Sequence, residues 1–189
     1  MKESKIIIPD CKKFTGYKPC IPGKNCLEEC DEKEKIGQKI LIINLDAMGD
    51  VLMTTAQLKS IKKKYPISTI YWLTRKNAAP LLLYNDYIDR ILIWDFESIL
   101  FLQQINFDVV LNADKSTQSC SLTNSLSSKI KFGFGLNDSG AIIPINESAN
   151  YNYILGLNDE LKFRKNTKTG QEILAETFEL DYNRDEYIL

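Results

Sequence analysis

The sequence predicts an α/β fold, a doubly wound parallel sheet. Three observations carry that expectation. Strand and helix patterns alternate with short connections from residue 39 to residue 133, the order that produces a parallel sheet with helices on both faces. The run Ile40–Ile43 is continuously apolar, as in strands covered on both sides. The stretch Lys39–Val51 passes from that run, through a turn with the single glycine Gly49, to Asp50. Asp50 is read as the N-cap of the following helix, its carboxylate accepting from free amides of the first turn. The turn then lies at the carboxyl end of a buried strand, where open α/β sheets place ligands.

In chain order, residues 1–38 form a leader distinct from the domain at 39–189. The leader holds four of the five cysteines, Cys11, Cys20, Cys26 and Cys30, among the turn formers Gly16, Pro19, Pro22 and Gly23. A segment so polar buries little core of its own and needs a cross-link or a metal for independent order. In a reducing compartment four thiolates suit a structural metal, zinc ahead of iron–sulfur. The spacing C-x8-C-x5-C-x3-C lacks paired C-x2-C knuckles, so unliganded thiols or disulfides remain the alternative. Cys120 stands apart and reads as a free thiol. Asp31–Lys35 is a charged linker.

The first strand begins near Lys39. A helix follows over Asp50–Tyr65, with Val51, Leu58, Ile61 and Tyr65 at helical spacing. Lys62, Lys63 and Lys64 fall in its last turn and read as a solvated end that suits the helix dipole; Pro66 stops it. Ser68–Leu73, Arg90–Trp94, Phe107–Leu111 and Lys129–Gly133 read as further strands. Arg75–Tyr84, Phe96–Gln104 and Ser116–Ser128 read as short helices between them. After Gly140 the pattern loosens. Thr169–Glu172 then gives a capping box ahead of the apolar face Ile173, Leu174, Phe178 and Leu180. Tyr187–Leu189 resembles the start of another extended segment, so the chain reads as one half of a two-domain enzyme.

Composition narrows the chemistry. Apolar residues make up 44% and charged residues 26%, with a net charge of −1, a globular composition with no bulk positive field for nucleic acid. No apolar run approaches the roughly 20 residues of a membrane span, and Lys2 and Lys5 precede only Ile6–Ile8, too short for a signal-peptide core. The expected location is cytoplasmic. There is no histidine, which removes the commonest general base and every His-paired nucleophile or His-ligated metal site. G-x-G-x-x-G, G-x4-G-K-[ST] and D-x-D are all absent, which argues against a dinucleotide site, a P-loop and a metal-held diphosphate. What remains is Asp50 at the helix mouth, near Asp46. It is either a cap or a general base able to take a proton from a sugar hydroxyl. Arg75, Asn112, Asp114 and Lys115 sit at strand ends, where they are either ligand contacts or ordinary surface charge.

The stretch Ile40-Leu-Ile-Ile-Asn-Leu-Asp-Ala-Met-Gly-Asp-Val-Leu-Met-Thr-Thr55 resembles the opening of the ADP-heptose:lipopolysaccharide heptosyltransferase family, glycosyltransferase family 9. So do Ile61–Pro66, Tyr71–Arg75, Tyr87–Arg90, Lys131–Gly135, Leu161–Phe163, Asn166 and Lys168–Ile173. The leader segment Asp10–Cys20 resembles one carried by a subset of the family. The resemblance implies the Rossmann-like N-terminal, acceptor-side half of a GT-B glycosyltransferase, whose donor-binding second domain is not in this sequence. It implies inverting, metal-independent transfer of a sugar, heptose or a related one, from a nucleotide-sugar donor to a lipopolysaccharide-type or other saccharide acceptor. A peripheral membrane contact would suit a lipid-linked acceptor. The family's catalytic aspartate falls on Asp50. Gly49 would let the acceptor approach closely, and Arg75, Asp114 and Lys115 would contact it. A family lysine near the donor phosphates is Asn44 here, which leaves the donor sugar open. Alone, the chain is expected to turn over little or nothing. The rival readings are a non-catalytic saccharide- or partner-binding module, and a redox or metal-sensing role for the four cysteines.

Overall fold

The computed structural model describes residues 6–28 and 30–188; Lys2, Lys5, Glu29 and Leu189 lie outside the described residues. Six strands form one sheet: β1 (Gln38–Ile43), β2 (Ser68–Thr74), β3 (Arg90–Ile93), β4 (Phe107–Asn112), β5 (Ser128–Leu136) and β6 (Ile142–Pro144). Their order is β3-β2-β1-β4-β5-β6; the first five are parallel, and β6 runs antiparallel to β5. The expected doubly wound α/β sheet is present.

The continuous apolar runs follow from burial on both faces. Ile40, Ile42, Ile70 and Trp72 pack on one side with Val51, Leu58, Ile61, Leu174 and Phe178. Leu41, Ile43, Tyr71 and Leu73 pack on the other with Leu102, Leu122 and Leu126. Successive strand residues point to opposite faces, so both halves of each run must be apolar.

Helices α1 (Met48–Thr55), α2 (Leu58–Lys64), α3 (Phe96–Gln103) and α4 (Thr117–Ser125) connect the strands, and α5 (Asn150–Leu155) and α6 (Gly170–Thr177) follow β6. The single helix expected over Asp50–Tyr65 is two. The Thr54 hydroxyl donates to the Asp50 carbonyl at 2.8 Å and the Thr55 hydroxyl to Leu52 O at 2.7 Å, back-bonding that bends helices. Between the pieces, the Gln57 side-chain amide donates to Gln171 O at 3.0 Å, which ties the break to α6. The first piece also opens earlier than expected. Ala47 is the extended N-cap and Asp50 the third helical residue, whose carboxylate accepts from Ala47 N at 3.3 Å. Asp50 is therefore the acidic partner of a capping arrangement, not its N-cap.

Lys63 and Lys64 are exposed, as expected of a solvated helix end, and all three lysines of the run are also anchored. Lys62 Nζ donates to Ser68 O, Lys63 Nζ to the Asp181 carboxylate and Lys64 Nζ to Glu179 O, at 2.8–2.9 Å. Lys63 and Lys64 fasten the segment after α6 to the end of α2, and Lys62 ties that end to the start of β2. The stretch Arg75–Tyr84 forms turns and one 3-10 turn at Ala79–Leu82 with Pro80 at its start, not an α-helix. The Thr169 hydroxyl accepts from Glu172 N at 3.2 Å, which is one half of the expected capping box. Past α6 the chain lies against the core without regular structure, with Ile188 N donating to Thr55 Oγ1 at 3.0 Å.

Among its described residues, 6–28 and 30–36, the leader contributes no strand or helix and no residue of the buried core. It lies at the amino ends of the strands. Lys12 Nζ pairs with Asp89 at 2.8 Å, Arg90 donates to Lys12 O at 3.1 Å, and the Thr69 hydroxyl donates to Ile36 O at 2.7 Å. The described cysteines are free thiols. Among the described residues no three Cys, Asp or Glu side chains are gathered as a metal's ligands, so the expected four-thiolate site is not pre-assembled. Cys120, buried, is the free thiol expected. Among the described residues no helix is long and apolar enough to cross a membrane.

Phe178 is fully buried where α6 meets the sheet. Phe178→Ala is expected to cost about 3–5 kcal/mol of unfolding free energy, read as a lower urea midpoint at unchanged m-value.

Candidate functional site

β1 lies between β2 and β4, so the chain leaves it toward one side of the sheet and returns on the other. That switch point opens a crevice beyond the carboxyl ends of β1 and β4. A cleft of about 590 Å³ occupies it, within the roughly 300–1,000 Å³ usual for small-ligand sites. The β1–α1 turn supplies Asn44, Asp46 and Asp50, and the residues after β4 supply Asp114 and Lys115. The opposite wall comes from α5, a π-helical turn at Leu161–Lys165, and the start of α6.

One carboxylate organises the floor. Asp114 accepts from Asn44 Nδ2 at 2.8 Å and from the backbone amide of Leu45. Burial pushes its pKa up from 3.8 to about 6; the two hydrogen bonds oppose that shift, and the nearby Asp46 and Asp50 add to it. Asp114 was expected as an acceptor contact. It lines the cleft, and its carboxylate is also hydrogen-bonded to the turn that leads to Asp50. Asn44 is buried, and its Oδ1 has no hydrogen-bond partner within the protein.

Asp50 itself is exposed on the first turn of α1 and lines the cleft. Gly49 sits beside it on the rim, outside the cleft lining, and a Cβ there would meet nothing within 4 Å. No packing constraint requires glycine at that position. Asp46 also lines the cleft, but Arg75 does not: Arg75 pairs with Asp46 and lines a separate depression beside Trp94. Arg75 thus restrains the turn from outside instead of reaching into the cleft.

Lys162 and Lys168 line the far wall, and Lys115 reaches it from the end of β4. Lys115 Nζ donates to Asn152 O and Oδ1 at 2.8 and 3.0 Å and lies 5.1 Å from the centre of the Phe134 ring. Its pKa is lowered, first by burial of the ammonium against these groups and then by the charge of Lys162. Gly156 has no side chain to contest that place; a Cβ there would stand 3.3 Å from Lys115 Nζ. Among the described residues no carboxylate pairs with Lys115 or Lys162, whereas Lys168 is held by Glu176 at 2.6 Å. The cleft therefore carries exposed carboxylate on one wall and unneutralised ammonium on the other. That arrangement can take a hydroxylated ligand bearing an anionic group. Lys162, Asn152 and Asn166 received no role from the sequence. They lie where periodicity is weak, and the only signal was the similarity of Leu161–Phe163 and Asn166 to the family's later segments.

No family model matches the chain, and no curated protein matches it. Solved structures do match. The glycosyl transferase family 9 from Veillonella parvula DSM 2008 is 21% identical at a TM-score of 0.44, over 55% of this chain and 32% of that one. E. coli heptosyltransferase WaaC with ADP is 19% identical at a TM-score of 0.47, over 75% of this chain and 52% of that one. E. coli ADP-heptose lps heptosyltransferase II is 18% identical at a TM-score of 0.42, over 47% of this chain and 28% of that one. The chain thus spans about half of these proteins or less.

The raised pKa of Asp114 sets a pH dependence. Its folded value, about 6, lies above the unfolded value of about 3.9, so the folded state binds this proton more tightly. The stability it supports is present at low pH and is lost as pH rises between those values. In denaturation at several pH values, wild type is expected to lose stability relative to Asp114→Asn between about pH 4 and pH 6. A flat difference would mean that the carboxylate is not desolvated.

Proposed function

We propose that the chain is the acceptor-side half of an inverting, metal-independent glycosyltransferase that uses a nucleotide-sugar donor, heptose or a related sugar, and a saccharide or lipid-linked acceptor. The observation that carries this reading is the exposed carboxylate of Asp50, at the mouth of the switch-point cleft and within the segment resembling glycosyltransferase family 9. Asp50 accepts the proton of an acceptor hydroxyl as that oxygen bonds to the anomeric carbon of the donor. The bond from that carbon to the nucleotide diphosphate breaks with inversion, and the diphosphate leaves with the bonding pair. Preorganised charge for the leaving diphosphate comes mainly from a second, donor-binding domain. Lys115 and Lys162 favour an acceptor with a phosphate or carboxylate near the reacting hydroxyl. The location this reading implies is cytoplasmic, with peripheral contact at a membrane carrying the acceptor.

The test is a transfer assay with a panel of nucleotide sugars, on the 189 residues alone and fused to a family-type donor domain. Turnover is expected in the fused form only. Asp50→Asn should lower that turnover by about 10²–10⁴-fold and leave acceptor binding little changed. Saccharide binding without transfer in either form would instead make the chain a binding module.

Gly49→Ala separates approach from folding. Alanine is the better helix former, so the variant is expected to be as stable as wild type or more so, by up to about 1 kcal/mol. Its kcat/KM for the acceptor should fall if the acceptor packs against that turn; unchanged kinetics would remove Gly49 from the site.

A further inference from the structure

The leader is fastened to the sheet at a few points, but little holds it together internally. Among its described residues, 6–28 and 30–36, it has no strand, no helix and no residue in the buried core. Among the described residues its internal backbone bonds are mostly local turns, Phe14 N to Cys11 O at 3.1 Å, Lys24 N to Ile21 O at 3.3 Å, Glu28 N to Asn25 O at 3.4 Å and Lys33 N to Cys30 O at 3.2 Å, with the longer-range Lys12 N to Glu34 O at 2.8 Å closing the segment into a loop. Chains of this length do not usually keep an order without a cross-link. Yet Cys11, Cys20, Cys26 and Cys30, up to nineteen positions apart in sequence, all line one small cavity of about 40 Å³, with Pro9 and Phe14 beside them. All four leader thiols thus border one cavity, and none is bonded to another.

We propose that this cavity is a structural zinc site with the four thiolates of Cys11, Cys20, Cys26 and Cys30 as ligands. Four sulfur ligands match the closed tetrahedral shell of structural zinc. No three of the described Cys, Asp or Glu side chains yet stand close enough to share an ion, so the thiols must turn inward as the ion binds. Binding and ordering of the leader are then one process. The step balances without electron transfer: four thiols release four protons, and four sulfur–zinc bonds form. The site lies at the amino ends of the strands, where Lys12 meets Asp89, away from the cleft. It is independent of the glycosyltransferase reading.

The test uses the full chain, purified under reducing conditions and stripped with a chelator. Titration with cobalt(II), then displacement by zinc(II), should give the visible bands of tetrahedral thiolate-bound cobalt at one ion per chain. Zinc should also shield all four leader thiols from a thiol reagent and slow proteolysis of the leader. Cys20→Ser changes the most exposed of the four and touches no core residue, so the fold is retained. It should weaken zinc binding at least tenfold, and Cys20→Ser/Cys26→Ser should abolish the cobalt bands. Three results would overturn the proposal: no stoichiometric binding by the reduced chain, binding unchanged in the double variant, or leader cysteines that mass analysis of the untreated protein finds paired as disulfides.

Discussion

The carboxylate of Asp114 receives both the Asn44 side-chain amide and the Leu45 backbone amide, and the cleft depends on that arrangement. β1 and β4 are adjacent and parallel, so their carboxyl ends are brought level by the sheet. The sheet alone does not decide how the chain leaves β1. A buried acceptor shared by two donors does, because neither amide has another partner of that strength nearby. Once Leu45 is fixed, the turn through Asp46 and Ala47 starts α1 at Met48 and brings Asp50 to the rim. Arg75 restrains the same turn from outside through Asp46.

Most of the sheet was legible because parallel strands are the least ambiguous elements in a sequence. Ile40–Ile43 has no polar residue to place on a solvent face, and its shortness, its β-branched content and the turn that follows point to a strand covered twice. β6, α5 and the turn at Leu161–Lys165 were not legible for the opposite reason. They are three to six residues long, too short for a period to repeat, and are held by contacts such as Tyr153 Oη to Ile142 O at 2.9 Å and Asn146 Nδ2 to Thr177 O at 3.0 Å. The helix break at Ala56–Gln57 was hidden because apolar spacing runs through it. The cause is a pair of threonine hydroxyls and a glutamine reaching α6, and partners distant in sequence leave no local trace.

The candidate site divides along the same line. Asp50, Asp114 and Lys115 were found because ends of buried strands are few and easily located. Arg75 satisfies that criterion equally but follows β2, on the far side of Asp46, and its guanidinium is used there. The wall lined by Lys162 and Lys168 comes from a polar stretch with no period of its own. For Asp50 the helix-cap and general-base readings do not compete: the carboxylate meets Ala47 N at a long 3.3 Å and stays exposed, so one group can perform both tasks.

A parallel sheet gives a molecule two unlike ends. Here the carboxyl ends of the strands face the cleft, while the leader is fastened to the amino ends through Asp89, Arg90 and Thr69. The rigid length of the strands, all seven residues of β2 buried, separates them. Alterations to the leader should therefore combine additively with alterations around Asp50, as distant sites sharing no partner do. Such a scaffold lets its two poles diversify separately: a lineage could lose, exchange or re-purpose the appendage at one pole while the chemistry at the other stays intact.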